Sequence, residues 1–264
     1  MSLYGEPVTP QLAHDSRAFP SDPPAVLDDP VVVTAHDWAA FRRIERMSNH
    51  WDRPGWGPGH RGYYWMLTFP AARKLGAEAR VCQAGIADLD LDPVPEDALH
   101  VTLNKIGNCQ DVAPRVIDDL ALIAAGAVGA AFRILAHPLA GSRGAVRFSV
   151  TPWTPLVQLY AALATAGQAL GAPGGKPIHT FRPHLGVAYS NRECPAGPVV
   201  EAVTALRSRA AVPVEVARVD LVELRREGAA YRWRTLHSLP LQAASSPGGP
   251  HGGAVGGFRP TTAC

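Results

Sequence analysis

The sequence of 264 residues is short of net charge, of cysteine and of long apolar runs, and each shortage excludes a class of protein. A formal net charge of only +2 argues against a broad basic surface that binds duplex nucleic acid without specificity, although it is compatible with a local basic cleft. No apolar run approaches the roughly 18 residues of a membrane span, and the first residues include neither a basic nor an apolar leader region. We therefore expect no signal peptide, no transmembrane helix and no membrane partner.

Cysteine is scarce and widely spaced. The four cysteines include no C-x-x-C pair, so the sequence indicates neither a zinc site nor a disulfide framework. We expect a cytoplasmic protein, because a reducing compartment suits unpaired thiols. The positions are Cys82, Cys109, Cys194 and Cys264.

Two short apolar segments, each containing one histidine, are the most informative feature that is present. Residues 99–103 read Leu-His-Val-Thr-Leu, and residues 182–187 read Arg-Pro-His-Leu-Gly-Val. Both patterns are typical of strands, in which residues two apart share a face. His100, Thr102 and Asn104 are therefore predicted to share one face of the first strand. His184 and Gly186 are predicted to do the same in the second strand.

A pair of histidines on facing strands suits acid–base chemistry. Histidine is the side chain whose ordinary pKa lies near neutrality, so two of them can divide general-base and general-acid work at one phosphorus centre. A single histidine beside an apolar strand is more often structural or simply exposed, and only the pairing favours catalysis. Lys105 alternates away from His100 on an ideal strand, and His179 is more typical of a loop residue. His14 and His251 lie in ends that are predicted to be disordered. The other histidines show no partner spacing: His36, His50, His60, His137 and His237.

The two segments resemble the duplicated His-x-Thr/Ser-x motif of the two-histidine (2H) phosphoesterase superfamily, which includes 2′-5′ RNA ligase-like proteins and cyclic nucleotide phosphodiesterases. The first copy, His100-Val101-Thr102-Leu103, fits the motif. The second keeps the Pro-His-Leu context but has Gly186 where the family has threonine or serine. The histidines lie 84 residues apart, similar to the spacing of the two half-domains of the family. The resemblance covers about residues 63–240.

The resemblance implies roles for five residues. His100 and His184 would act as base and acid, in an order that it does not assign, and Thr102 would hold the phosphate. Arg182 is a candidate to bind phosphate because a guanidinium matches paired phosphate oxygens. Gly186 marks a substrate-binding position that has lost one hydroxyl. The implied partner is a small nucleotide or an RNA end, with no metal and no cofactor.

Three functions are compatible with these residues. The preferred one is a metal-independent phosphodiesterase or 2′-5′ RNA ligase-like enzyme, acting on a cyclic nucleotide or an RNA end. The second is a divergent member recruited to another small substrate, with Gly186 making room for a different group. The third is a nucleotide- or RNA-binding protein without turnover.

The pattern of elements predicts an α+β fold, in which two lobes of duplicated strand-helix-strand units form mostly antiparallel sheets around a central groove. We expect residues 1–62 to contain an N-terminal arm, a helix and a Trp-rich loop. We expect residues 63–241 to form the phosphoesterase-like domain, with lobes at about 63–150 and 151–241, and residues 242–264 to form a disordered tail.

Four local predictions concern particular segments of the chain. Residues 1–33 contain six prolines and are predicted to be an extended arm. A helix capped by Thr34 or Asp37 is predicted to follow. The loop at residues 49–62, with Trp51 and Trp56, is a candidate lid over the groove. Near the end of the domain, residues 214–225 and 231–239 are predicted to form the two strands of a hairpin, with a turn at residues 226–228.

Overall fold

The structure is a computed structural model, and it describes residues 9–52, 57 and 59–242. In that part of the chain there are five α-helices and eleven strands. The helices are α1 (Pro30–Phe41), α2 (Arg73–Ala84), α3 (Pro114–Ala127), α4 (Thr154–Ala169) and α5 (Gly197–Leu206). The strands are β1 (Arg46–Met47), β2 (Arg61–Thr68), β3 (Asp92–Pro93), β4 (His100–Asn108), β5 (Phe132–Ser142), β6 (Ala145–Thr151), β7 (His184–Tyr189), β8 (Cys194–Pro195), β9 (Val212–Val216), β10 (Arg218–Glu227) and β11 (Ala230–Pro240).

The strands form two large antiparallel sheets and one two-stranded sheet. The first large sheet has the order β11-β10-β2-β4, and the second has the order β3-β7-β6-β5-β9. The prediction of an α+β fold with mostly antiparallel sheets is confirmed. Each large sheet takes strands from both sides of residue 150, so the two sheets do not coincide with the predicted lobes at 63–150 and 151–241.

Helix α1 begins earlier than the sequence pattern predicted. Its N-cap is Asp29, whose carboxylate accepts hydrogen bonds from the backbone N–H groups of Val31 and Val32, and Pro30 occupies the first helical position. Aspartate at the cap and proline at N1 are a favoured start. The predicted cap residue Asp37 is instead buried in the middle of the helix.

The predicted C-terminal hairpin is confirmed as β10 and β11, but a single first strand over residues 214–225 is wrong, because the chain changes sheet within it. Strand β9 pairs with β5 in the five-stranded sheet, and β10 pairs with β2 and β11 in the other sheet. Ala217 separates the two strands, and its carbonyl accepts a hydrogen bond from the N–H of Leu241. A single residue therefore carries the chain between the two sheets.

The described part of the N-terminal arm is held on the domain. Residues 9–28 contain no helix or strand, as the prolines predict, but the arm ends at α1 and not at residue 33. The N–H of Ala13 donates to the carbonyl of His179 at 3.1 Å. Leu12 and Ala18 are buried. The arm is therefore part of the packed structure.

Within the described ranges, no helix combines the length and the apolar character needed to cross a bilayer.

Candidate active site

The two predicted histidines are the first residues of their strands and are anchored in the same way. His100 begins β4 and His184 begins β7, each a few residues after a short 3₁₀ turn. The Nδ1 atom of His100 lies 2.8 Å from the carbonyl oxygen of Ala98. The Nδ1 atom of His184 lies 2.8 Å from the carbonyl oxygen of Arg182. In both cases the partner is the residue two positions earlier.

This anchoring fixes the chemistry of each ring. A carbonyl oxygen only accepts, so each Nδ1 must carry the hydrogen. In a neutral imidazole the other nitrogen, Nε2, is then the one that can take up a proton. The two rings therefore have the same tautomer and the same orientation relative to their strands, a match that the sequence spacing alone does not specify.

The strands that carry the histidines belong to different sheets and contact each other. Strand β4 is one edge of the four-stranded sheet, and β11 is the other edge. The sheet curls so far that Trp233 of β11 reaches His100, with ring centroids 5.4 Å apart. Tyr231 of β11 lies 6.2 Å from the same ring. Tyr231 also lies 5.6 Å from Tyr189 of β7, and it thus bridges the two sheets.

Five rings beside His100 make up what we call the aromatic wall: His50, Trp51, Tyr189, Tyr231 and Trp233. His50 stacks on Tyr189 with centroids 3.9 Å apart, and its Nε2 lies 3.0 Å from the Tyr231 hydroxyl. The indole N–H of Trp51 donates to Asp92 at 2.7 Å. His50 showed no partner spacing in the sequence, and the structure places it in this wall.

The candidate lid is described only in part. Trp51 is 8% exposed and packs on Tyr189 and Tyr231. It is a fixed part of the aromatic wall. Trp56 lies outside the described residues, and the lid hypothesis stays a prediction for that portion of the loop.

The two histidines differ in exposure. His100 is buried, and the loss of solvation lowers its pKa from the ordinary value of 6.5, against a smaller raising effect of the hydrogen bond to Ala98. Burial disfavours the charged imidazolium because the site has fewer water molecules to solvate it. His184 is exposed. The neutral form of His100 is therefore favoured near pH 7.

A bulge in β4 changes which residues share the face of His100. Thr102 lies opposite Met66 of β2, and Asn104 lies opposite the neighbouring residue Trp65. Leu103 is therefore an extra residue in β4. Such a bulge reverses the alternation beyond it. Thr102 stays on the His100 face, and Asn104 moves to the opposite one.

The same bulge brings Lys105 to the His100 face. Lys105 pairs with Tyr64, and Thr102 pairs with Met66. Tyr64 and Met66 are two residues apart in β2 and share a face, so Lys105 lies on the same face as Thr102. The prediction that Lys105 points away is therefore wrong, as is the prediction for Asn104. The Lys105 ammonium donates to the side chain of Asn108 at 2.6 Å.

The Arg182 guanidinium, which was predicted to bind phosphate, binds backbone carbonyls in the structure. The residue is 5% exposed, and its guanidinium uses all five N–H donors on backbone carbonyls, so none remains for a phosphate. Three of these carbonyls belong to the N-terminal arm. The acceptors are Ala13, Pro20, Ser21, His179 and Phe181. Arg182 therefore fixes the arm against the segment that leads into His184.

The remaining predicted positions lie where the sequence placed them. Thr102 is half-buried on β4, and Gly186 is buried on β7. Sequence reasoning missed Tyr189, Tyr231 and His50. From the sequence alone, a tryptophan such as Trp233 is most simply a core or groove-wall residue, and the aromatic residues of β11 carried no other signal. Among the described residues no three His, Cys, Asp or Glu side chains are grouped closely enough to hold a metal ion.

Comparison with known proteins gives one family. The family model of the 2′-5′ RNA ligase superfamily matches residues 70–228, which is more than half of the chain. No curated protein matches the chain.

Solved structures show the same fold at low sequence identity. A structure described as a phosphoesterase has a TM-score of 0.54 and 17% identity, covering 69% of this chain and 99% of its own. LigT from Escherichia coli, complexed with ATP, has a TM-score of 0.51 and 18% identity, covering 69% and 99%. TT0787 of Thermus thermophilus has a TM-score of 0.51 and 19% identity, covering 69% and 98%.

Proposed function

The chain belongs to the 2′-5′ RNA ligase superfamily, and from this premise we propose that it is a metal-independent two-histidine phosphodiesterase that acts on a cyclic nucleotide or an RNA end. The observation that carries the proposal is the matched anchoring of His100 and His184. Each ring donates from Nδ1 to the carbonyl two residues earlier, which makes Nε2 the proton acceptor of the neutral ring.

The two imidazoles divide the proton transfers of the reaction. In hydrolysis of a cyclic phosphate, a water molecule attacks phosphorus and gives up one proton, and the ribose oxygen that leaves takes up another. We assign the first transfer to His100, because burial lowers its pKa and keeps it neutral. We assign the second transfer to His184. In ligation a 5′-hydroxyl attacks phosphorus in place of water, and the same two proton transfers accompany the departure of the ribose oxygen.

Thr102 would stabilise the charge that builds on the phosphate. It shares the face of His100, and its hydroxyl can donate to a nonbridging oxygen. A nucleobase would stack on Trp233, which is half-buried and lies edge-on to His100, whereas the other rings of the aromatic wall are buried. LigT structures have been solved with ATP, NADP⁺ and 3′-AMP, which supports a nucleotide as the ligand class.

One observation favours a second candidate, a nucleotide-binding protein without turnover. Gly186 lacks the hydroxyl that Thr102 supplies in the first segment. One hydrogen bond to a charged group contributes roughly 1.5–3 kcal/mol, which is enough to reduce turnover but not to abolish ligand binding.

The test is turnover of a panel of 2′,3′-cyclic nucleotides and 2′-5′-linked dinucleotides, with and without a chelator. The wild type is compared with His100→Ala, His184→Ala and Thr102→Ala. We expect the chelator to have no effect, each histidine variant to lose most activity while remaining folded, and Thr102→Ala to lose less. The matched control is His237→Ala, a histidine of β11 whose ring bonds Asp118.

The outcomes separate the candidates. Ligand binding measured by calorimetry without any product would favour the non-catalytic function. Activity that survives loss of either histidine, or that the chelator removes, would contradict the proposed mechanism.

A further inference from the structure

The two histidine segments match in their backbone but differ in one hydroxyl. Both histidines open a strand and donate from Nδ1 to the carbonyl two residues earlier. Two residues further on, the first segment has Thr102 and the second has Gly186. If the two halves bind one phosphate between them, the second half needs another donor near position 186.

A bulge in β7 brings Tyr189 onto the same face as Gly186. Gly186 pairs with Arg147 of β6, and Ala188 pairs with the adjacent residue Val146, so one residue of β7 is extra. Tyr189 then pairs with Ala145, which shares a face of β6 with Arg147. Without the bulge, strict alternation would have turned Tyr189 to the other side of the sheet.

The Tyr189 hydroxyl lies over the place that a side chain at position 186 would occupy. A Cβ atom built on Gly186 would stand 3.1 Å from the hydroxyl oxygen of Tyr189 and 3.4 Å from the nearest ring carbons. The first distance is shorter than nearly all real Cβ contacts. The glycine and the tyrosine therefore fit together, because any larger residue at 186 would press on this hydroxyl.

The ring of Tyr189 is held in this position from several sides. His50 stacks on one face with centroids 3.9 Å apart and planes inclined by 19°. Trp51 and Tyr231 meet it edge-on at 5.1 and 5.6 Å. The residue is 6% exposed. A hydroxyl fixed in this way requires little reordering when it binds an anion.

We propose that the Tyr189 hydroxyl is the phosphate-binding donor of the second histidine segment and takes the role that Thr102 has in the first. This inference rests on the proposed function, since it assigns a residue to the same phosphate. It also explains why position 186 is a glycine, because the glycine leaves room for the phenol of Tyr189, three residues further along the chain.

The experiment measures kcat/KM on 2′,3′-cyclic AMP for four variants. Tyr189→Phe keeps the stacked ring and removes the hydroxyl, and we expect activity to fall about 10- to 100-fold, the range for one hydrogen bond to a charged group. Gly186→Ser alone is expected to lower activity, because its Cβ displaces the phenol. The double variant Gly186→Ser/Tyr189→Phe is expected to recover at least about tenfold over Tyr189→Phe.

The matched control is Tyr160→Phe. Tyr160 is also a buried tyrosine, and its hydroxyl donates to the carbonyl of Lys176 at 2.5 Å. This variant should keep wild-type activity. Full activity of Tyr189→Phe would overturn the inference. A double variant Gly186→Ser/Tyr189→Phe that is no more active than Tyr189→Phe would also overturn it. In either case, turnover of 2′,3′-cyclic AMP by the wild type would still support the proposed function.

A binding measurement decides the case in which the wild type shows no turnover. The affinity for 3′-AMP is then compared between the wild type and Tyr189→Phe by calorimetry. An affinity at least about tenfold weaker in the variant supports the inference, and equal affinities overturn it. A wild type that neither turns over nor binds 3′-AMP removes both the proposed function and this inference.

Discussion

The ring of Tyr231 lies edge-on to the ring of His100, with 6.2 Å between the centroids and 83° between the planes. The same tyrosine shares a hydrogen bond with His50 at 3.0 Å. Tyr231 thus links the first catalytic candidate to a histidine 50 positions earlier in the chain, and through Tyr189 to the strand of the second.

Replacing Tyr231 should separate the effect of its ring from that of its hydroxyl. Tyr231→Ala removes the ring packed on His100, and we expect a loss of about 3–5 kcal/mol of stability together with a large fall in kcat. Tyr231→Phe keeps the ring, and we expect a loss of about 1 kcal/mol of stability from removing the hydrogen bond to His50, with a smaller fall in kcat. Urea unfolding and initial rates measure the two effects. Equal effects of both variants would contradict the role given to the ring.

The acid limb of the pH–rate profile should report His100. Burial lowers its pKa below 6.5, so the base stays deprotonated at neutral pH and is protonated only on further acidification. We expect kcat/KM to fall as pH drops through a pKa below 6.5. A limb with a pKa above 6.5 would contradict the assignment of His100 as the base.

The same shift makes a prediction about stability. The folded-state pKa of His100 is below the unfolded value, so protons bind the unfolded chain more tightly, and stability falls as pH drops below about 6.5. Burial also lowers the pKa of His36, His60 and His137. To isolate the contribution of His100, Tm is measured as a function of pH for the wild type and for His100→Gln. We expect the variant to lose less stability than the wild type as the pH falls.

Arg182→Lys should destabilise the protein strongly. Lysine has three donors on one nitrogen and cannot reach the five carbonyls that the guanidinium joins, so we expect a loss of about 2–5 kcal/mol in urea unfolding. The matched control is Arg133→Lys on an exposed ion pair with Glu215, which should change stability by less than about 0.5 kcal/mol. Weaker nucleotide binding at unchanged stability would instead support the original prediction that Arg182 binds phosphate.

The C-terminal boundary should lie just after Gln242. Its N–H donates to the carbonyl of Gly129 at 2.9 Å, and its carbonyl accepts from Ala131 at 2.8 Å. A chain that ends at Gln242 should keep its stability within about 0.5 kcal/mol, because the residues beyond it are mostly Gly, Ser, Pro and Ala. A chain that ends at Leu239 loses these bonds and buried Leu241, and its Tm should fall. Equal Tm values for both truncations would contradict this boundary.

The sequence by itself determined the family, the α+β class and the place of both histidines at the start of strands. These features are local, because an apolar run with a histidine and a motif of four residues can each be recognised without knowing the rest of the fold. The anchoring of each histidine also involves a partner only two residues away, but the sequence pattern did not specify it.

Only the tertiary structure decided which side chains share the histidine faces. The bulges in β4 and β7 moved Lys105 and Tyr189 to those faces, and a bulge depends on the pairing with a neighbouring strand that is distant in the sequence. Arg182 was assigned to phosphate because a guanidinium suits it, yet three of the carbonyls that hold it come from residues more than 150 positions earlier. Alternation and residue type are properties of the local chain, whereas pairing register and hydrogen-bond partners are set by contacts between segments that only folding brings together.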